Sequence, residues 1–234
     1  RTTTIQQKRI QRGQGRTNRL RILGRHTKQA SKLFPTNVNP TVQYGLTAQG
    51  ASPSFIHRLR QQAARSSLIP GHTPDITAAI ALTFKPHQDP AIFTRLQQVK
   101  DWLYLWNQHP QHHSALRSIW NKQHRNLTQA VRRWSKVTGP IGATIATLLD
   151  IGFKPTQPDR WTDNTNQFEL VIDHNTDTQP IQQFITSAII NQLWEHSHHT
   201  SHLGKGLKDG VDLTTVLKVT KQYKKNQPYK LPIM

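Results

Sequence analysis

The chain has 234 residues, with 31 Lys and Arg against 12 Asp and Glu and a formal net charge of +19. A body this basic repels itself, and a sugar-phosphate chain relieves that repulsion best because bound Lys and Arg release its condensed counterions. Cysteine is absent, which excludes a disulfide framework and a thiolate zinc site. The longest apolar stretches, Ile76–Phe84 and Ile141–Leu149, are far shorter than the roughly 20 residues that cross a bilayer, so no membrane span is expected.

Charge is unevenly spread. The first acidic residue is Asp75, whereas Arg and Lys are dense from Arg1 to Lys32. Arg1 in place of Met marks the chain, as an expectation, as a processed or partial product of a longer reading frame. An acid-free, Arg-rich N-terminus also resembles an organelle transit peptide, but here it leads straight into structured sequence. Within this stretch Gly13 and Gly15 each weaken a helix by about 1 kcal/mol relative to Ala. In isolation the arm is expected to fray, with the two glycines as a joint. Its charges nonetheless keep helical spacing: Arg9, Arg12, Arg16 and Arg19 form one stripe beside Lys8, and Arg21, Arg25, Lys28 and Lys32 form another. Such stripes are expected to order against phosphates.

Phe34 to Gly50 is punctuated by Pro35, Pro40, Gly45 and Gly50 and leaves room for one short helix, Thr41–Ala48. Ser52 before Pro53 is a helix start, with Phe55, Ile56, Leu59 and Ala63 on the inner face and Arg58 and Arg65 on one flank. Thr73, Pro74 and Asp75 open a short apolar helix over Ile76–Phe84. Asp89 and Pro90 repeat the signal, and Ile92, Leu96, Val99, Leu103 and Trp106 recur at helical steps. A helix or helix pair over Ser114–Lys136 sets Leu116, Trp120, Leu127 and Trp134 beside Arg117, Lys122, Arg125, Arg132, Arg133 and Lys136. Thr138, Gly139 and Pro140 introduce Ile141–Ile151, which Gly152 ends.

Between Phe153 and Ile172 the period changes to that of short strands separated by Pro, Asn and Asp turns, which predicts an antiparallel meander. Thr178 and Pro180 open a helix containing Phe184, Ile185, Ala188, Ile189 and Leu193. Asp212 caps a last one over Leu213–Lys225, and a loose tail follows from Gln227. No repeat at solenoid spacing is present. The expected fold is mainly α, a helical body with a small antiparallel β-meander and a basic N-terminal arm. The expected division is an arm and turn-rich linker (1–50), a helical core (51–152), and the meander with C-terminal helices (153–234).

Few residues suggest catalysis. Two-metal nucleases and polymerases need clustered carboxylates, and the best set here is Glu169, Asp173 and Asp177, where a strand places the first two on one face. The alternative is a strand running into an Asp turn. Histidines gather at His109, His112 and His113 and at His196, His198, His199 and His202. On a continuous helix His198 and His202 would meet, but without Cys or a placed carboxylate the spacing is unspecific, and solvent-facing imidazoles are the expectation. Phosphate-binding loops, nucleophile elbows and dinucleotide fingerprints are absent. No catalytic residue, metal or cofactor is expected. Trp102, Trp120 and Trp194 belong to apolar periodic stretches and are read as core. Trp134, flanked by Arg132, Arg133 and Lys136, is either core or a platform for an unpaired base.

Two stretches, VQYGLTAQGASPSFIHRLRQQAAR at Val42–Arg65 and AVRRWSKVTGPIGATIATLLDIGFKPTQPDRWTD at Ala130–Asp163, resemble the region after the catalytic palm in reverse-transcriptase-like proteins of non-LTR retroelements, notably those abundant in dinoflagellate-type protists. The resemblance implies a thumb or connection that grips a duplex by its backbone. It carries no active-site residue, because the family's paired aspartates lie in a palm outside this stretch.

The functional expectation is a non-catalytic RNA-binding structural component of a ribonucleoprotein assembly, bound to ribosomal or other structured RNA and to neighbouring proteins. An organellar, mitochondrial particle is the favoured setting, with the nucleus as the other compartment. The alternatives are a nucleic-acid-binding segment of a retroelement reverse transcriptase and a divergent metal-dependent nuclease. The residues expected to meet nucleic acid are Lys8, Arg9, Arg12, Arg16, Arg19, Arg21, Arg25, Lys28, Lys32, Arg58, Arg65, Arg125, Arg132, Arg133, Trp134 and Lys136.

Overall fold

Local start signals set most of the helices. A computed structural model describes residues 4–67, 75–173, 176–212 and 215, and among these the fold is mainly α, with one three-stranded antiparallel sheet. Ser52 accepts a hydrogen bond from the Phe55 N–H at 3.3 Å and Pro53 takes the first position of α3 (Pro53–Ser66). Asp75 accepts from Ala78 N at 2.9 Å to open α4 (Ile76–Thr83), and Asp89 accepts from Ala91 N at 2.8 Å to open the long α5 (Pro90–Gln108). Each cap satisfies a donor that the first helical turn otherwise leaves unpaired. Thr73, Pro74, the expected helix beyond Asp212 and the tail lie outside the described residues. Thr215 is the exception, and its N–H donates to Asp212 Oδ1 at 3.1 Å.

The arm departs from its expectation. It forms one continuous helix, α1 (Thr4–Gly24), packed on α3 and on the short α2 (Asn39–Gln43). Gln6, Ile10, Gly13, Thr17 and Leu20 are its buried residues, at alternating steps of four and three. Gly13 is therefore a point of close approach between helices and not a joint: a Cβ there would sit 2.5 Å from Val42 Cγ2 and 2.9 Å from Gln62 Oε1. Gly15 faces open space. Gln62 also reaches across to donate to the Ile10 carbonyl at 3.2 Å. Beyond Gly24 the chain turns and continues as a 3-10 segment, Lys28–Lys32, then as wide π-type turns over Phe34–Val38. The short helix expected at Thr41–Ala48 is displaced to Asn39–Gln43, because Gly45 takes a φ of +71° and ends it.

α6 (His113–Thr128) is shorter than the expected Ser114–Lys136, and a 3-10 turn at Arg133–Ser135 leads into α7 (Gly139–Asp150). Gly152, with φ +88°, ends α7 and starts the meander β1 (Phe153–Gln157), β2 (Arg160–Asp163), β3 (Glu169–Val171), in that spatial order. Trp161 pairs with Leu170, and both are buried. Asp163 organises the second turn by accepting from Gln167 N at 2.9 Å and Phe168 N at 3.2 Å. These bonds and the Thr165 hydroxyl, which is the largest influence, hold its carboxyl below the ordinary range.

α8 (Thr178–Thr200) closes the body against α5, which also packs on α3 and α7. One cluster of buried apolar side chains includes Ile10 of α1, Trp120 of α6, Trp161 of β2 and Leu193 of α8. Trp102 and Trp120 lie at the join between helices and sheet, ring centroids 4.7 Å apart. Their indoles donate to the Pro158 and Pro155 carbonyls, each at 3.0 Å, so both tryptophans are core residues that fasten the meander to α5 and α6. Trp194 is buried as well. Among the described residues no helix is long and apolar enough to cross a membrane.

Candidate nucleic-acid interface

The layer made by α1, α2 and α3 contains no acidic residue, since the first carboxylate of the chain is Asp75. At about 100° per residue, Lys8, Arg12 and Arg19 fall within roughly 40° of one another on the side of α1 opposite its buried stripe. All three are exposed. Arg9 and Arg16 lie to one side of that line and are tied to the protein through neutral acceptors. Arg16 Nη1 donates to Asn37 O at 3.0 Å, Asn37 Oδ1 at 2.9 Å and Thr41 Oγ1 at 2.6 Å. Arg9 donates to the Tyr44 carbonyl, its guanidinium carbon 5.2 Å from the centre of the Tyr44 ring. These bonds hold the two guanidinium groups in place without cancelling their charge.

The second stripe does not lie on one helix face. Arg21 is exposed near the end of α1, Arg25 follows in the turn and Lys32 closes the 3-10 segment; the Lys28 side chain lies outside the described residues. Arg58 and Arg65 are exposed on α3, facing away from the side on which Phe55, Leu59 and Ala63 are buried. Ion pairs among the described residues are Arg60 with Asp89, Arg117 with Asp159, Arg133 with Asp150 and Arg160 with Glu169. None of them involves α1.

A second basic patch surrounds the end of α6. Arg125, Arg132 and Lys136 are exposed, as is Lys122, which sequence reasoning placed on this helix without assigning it to the interface. Arg133 and Trp134 behave differently from their neighbours. Arg133 Nη1 donates to Asp150 Oδ1 at 2.8 Å and Trp134 Nε1 donates to Asp150 Oδ2 at 2.6 Å. Burial raises the Asp150 carboxyl above its ordinary range, against the pull of Trp134, Arg133 and Arg95. Trp134 also packs over Gly50, where a Cβ would lie 2.7 Å from its ring. The pair holds the loop to the body, Trp134 through its indole N–H and Arg133 through one guanidinium nitrogen, and both side chains stay half-buried. The signal for this is the 16-residue step from Trp134 to Asp150, which crosses a helix boundary and has no local signature.

Between α1 and the loop before α7 is a cleft of about 400 Å³, lined by Gln6 of α1, by Gly50 and Ser52, by Trp134 and Val137 of the loop and by Gly139 at the start of α7. Among the described residues its walls carry no carboxylate. The part of α1 that reaches this cleft is Gln6 on its buried face, so Lys8, Arg12 and Arg19, on the opposite face, do not line it.

The residues considered for metal chemistry do not converge. Glu169 is exposed on β3 with Arg160 4.0 Å away, and Asp177 caps α8 by accepting from Gln179 N at 2.9 Å. At Asp173 the backbone N–H donates to Thr176 Oγ1 at 2.8 Å. α8 ends at Thr200, so His198 and His202 do not share a continuous helix face, and His198 Nδ1 instead accepts from Gly206 N at 3.0 Å. His113 stacks on Trp106 with ring centroids 3.7 Å apart. Among the described residues no group of three or more His, Asp or Glu is placed to hold a metal ion.

Comparison of the chain with protein-family models, curated proteins and solved structures finds no match.

Proposed function

We propose that the chain is a non-catalytic RNA-binding component of a ribonucleoprotein assembly, and that it grips the phosphate backbone. The observation that carries this reading is the carboxylate-free basic surface of α1 to α3. Lys8, Arg12, Arg19, Arg21, Arg25, Lys32, Arg58 and Arg65 supply it, and Arg125, Arg132 and Lys136 form a second exposed basic patch. Arg9 and Arg16 contribute charge from fixed positions. Such contacts position the protein on a backbone and carry little sequence information. Structured RNA is the partner, because its recognition runs through shape and phosphate contacts of this kind.

The resemblance to the post-palm region of retroelement reverse transcriptases supports a related reading, in which the same surface grips a template duplex. Its two stretches, 42–65 and 130–163, both contribute walls to the cleft, Gly50 and Ser52 from one and Trp134 and Val137 from the other.

Fluorescence anisotropy with a structured RNA, titrated at several salt concentrations, tests the proposal. With six to ten phosphates engaged, affinity falls by roughly 10³ to 10⁵ between 50 and 200 mM salt. Replacing Lys8, Arg12 and Arg19 together by Gln lowers the salt slope by roughly 3, about 1 for each phosphate that is no longer neutralised. A slope near zero in the unmodified chain, or an unchanged slope in the triple variant, overturns it.

A further inference from the structure

A second group of charged side chains, two arginines beside two carboxylates, lines a surface cavity away from α1. Between α3, α5 and α8 is a cavity of about 430 Å³. His57 and Arg60 line it from α3, Arg95 from α5, and Gln192, His196 and His199 from α8. Asp150 at the end of α7 and Glu195 of α8 complete its wall.

The cations in this wall are not equivalent. Arg60 is satisfied: its Nε lies 3.1 and 3.2 Å from the two Asp89 oxygens and its Nη2 donates to Asp89 Oδ2 at 3.1 Å and to Thr77 Oγ1 at 3.2 Å. Asp150 is engaged by Arg133 and Trp134. Arg95 is 7% exposed yet makes no ion pair among the described residues. Its hydrogen bond among those residues runs from Nη1 to the neutral Gln192 Oε1 at 2.8 Å. Gln192 is itself held by donating to the Asp150 carbonyl. A guanidinium stays protonated in proteins, and burying it with no carboxylate in ion-pair contact is unfavourable. Burial pushes Arg95 below its ordinary range, with Arg60 acting in the same direction and Asp150 and Asp89 opposing.

An oxyanion in the cavity removes that cost. It would meet a forked donor in Arg95 and imidazole donors in His57, His196 and His199. Arg geometry matches phosphate because two parallel N–H bonds reach two oxygens of one group.

We propose that the cavity between α3, α5 and α8 is a binding site for a phosphate group, with Arg95 as its anchor. The site is separate from the basic surface of α1, and its ligand is either free phosphate or a phosphate monoester.

Isothermal titration of the full chain with inorganic phosphate, at ionic strength matched with chloride, is the direct test. Uridine 5′-monophosphate and uridine form the second arm. One equivalent of phosphate binds, and thermal denaturation shifts upward by about 5 to 10 °C at phosphate 100-fold above its Kd. Tighter binding of the monophosphate than of phosphate, with no binding of uridine, identifies a monoester as the ligand; equal binding identifies the free oxyanion. Arg95→Met weakens binding at least 10-fold and raises the melting temperature in phosphate-free buffer, since an unpaired buried cation has been exchanged for an apolar side chain. Lys8→Gln/Arg12→Gln/Arg19→Gln leaves phosphate binding unchanged, which separates this site from the RNA surface. Absence of phosphate binding to the unmodified chain overturns the proposal whatever the variants do, and so does undiminished binding by Arg95→Met.

Discussion

Replacing Gly13 and Gly15 separately by Ala distinguishes a docked α1 from a loose arm, because the two positions share a helix and differ in surroundings. In an unpacked helix each change stabilises by about 1 kcal/mol through propensity alone. Gly15 faces open space, so that gain survives. At Gly13 the added Cβ falls 2.5 Å from Val42 Cγ2 and 2.9 Å from Gln62 Oε1, inside the roughly 3.5–4.0 Å at which carbon atoms rest. Val42 is β-branched and cannot rotate away cheaply. Overpacking of this kind costs about 1–3 kcal/mol, and moving Gln62 breaks its bond to the Ile10 carbonyl, worth about 1 kcal/mol. The net effect at Gly13 is a loss of roughly 1–3 kcal/mol, and the two variants differ by roughly 2–4 kcal/mol. For a chain of this size that separates their melting temperatures by about 4 to 16 °C. Thermal unfolding followed by far-ultraviolet circular dichroism reads the difference. Equal upward shifts for both variants would refute the docking of α1 on α2 and α3.

The Arg60–Asp89 pair is buried on both sides, so Asp89→Asn costs about 3–5 kcal/mol by stranding the guanidinium, and Arg60→Met/Asp89→Asn costs less than the single change. Chemical denaturation of the three proteins decides it, and a double variant worse than Asp89→Asn refutes the pairing argument. Arg132 and Arg133 are neighbours with opposite expected phenotypes. Arg133→Gln destabilises by roughly 1.5–3 kcal/mol because it removes the bond to Asp150, whereas Arg132→Gln leaves stability alone and reduces the RNA salt slope by about 1. His57 is lowered from 6.5 by burial, then by Arg60 and His196, and His124 by burial. Between the lowered value and 6.5 the unfolded chain binds more protons, so stability is intact above 6.5 and is lost as pH falls through that window. Replacing both by Gln should flatten the fall in melting temperature as pH drops below 6.5; an unchanged slope counts against the assignment.

Much of the fold was legible because its signals are local. The Ser52–Pro53 and Asp89–Pro90 starts, the Gly152 stop and the meander all depend on residues a few positions apart. The docking of α1 was not, because its buried stripe is Gln6, Ile10, Gly13, Thr17 and Leu20, in which only two residues are large and apolar. The 4-3-4-3 spacing is the signal that identifies it. Apolar periodicity misled at the end of α6, where Leu127, Val131 and Trp134 continue a helical step that the chain does not follow. Val131 is fully exposed and Trp134 turns instead to Asp150. Of the candidate site, the exposed cations of α1 and α3 were legible as charge. The separation of Arg132 and Lys136 from Arg133 and Trp134 was not, since it is made by a carboxylate on another helix.

Docking alters how the basic surface works. A flexible arm gives up conformational entropy each time it settles on phosphates, whereas α1 has already been ordered by packing against Val38, Val42 and Gln62. Arg9 and Arg16 are likewise fixed by Tyr44, Asn37 and Thr41. The cost is moved into the folded state, where parallel cations with no carboxylate among them repel at close range. Packing of the opposite face of α1 has to hold that repulsion, and it does so through a stripe in which Gly13 admits Val42 and Gln62 at close range. On the proposed reading, a polyanion laid across the surface is expected to raise the melting temperature as well as bind, because it relieves that repulsion.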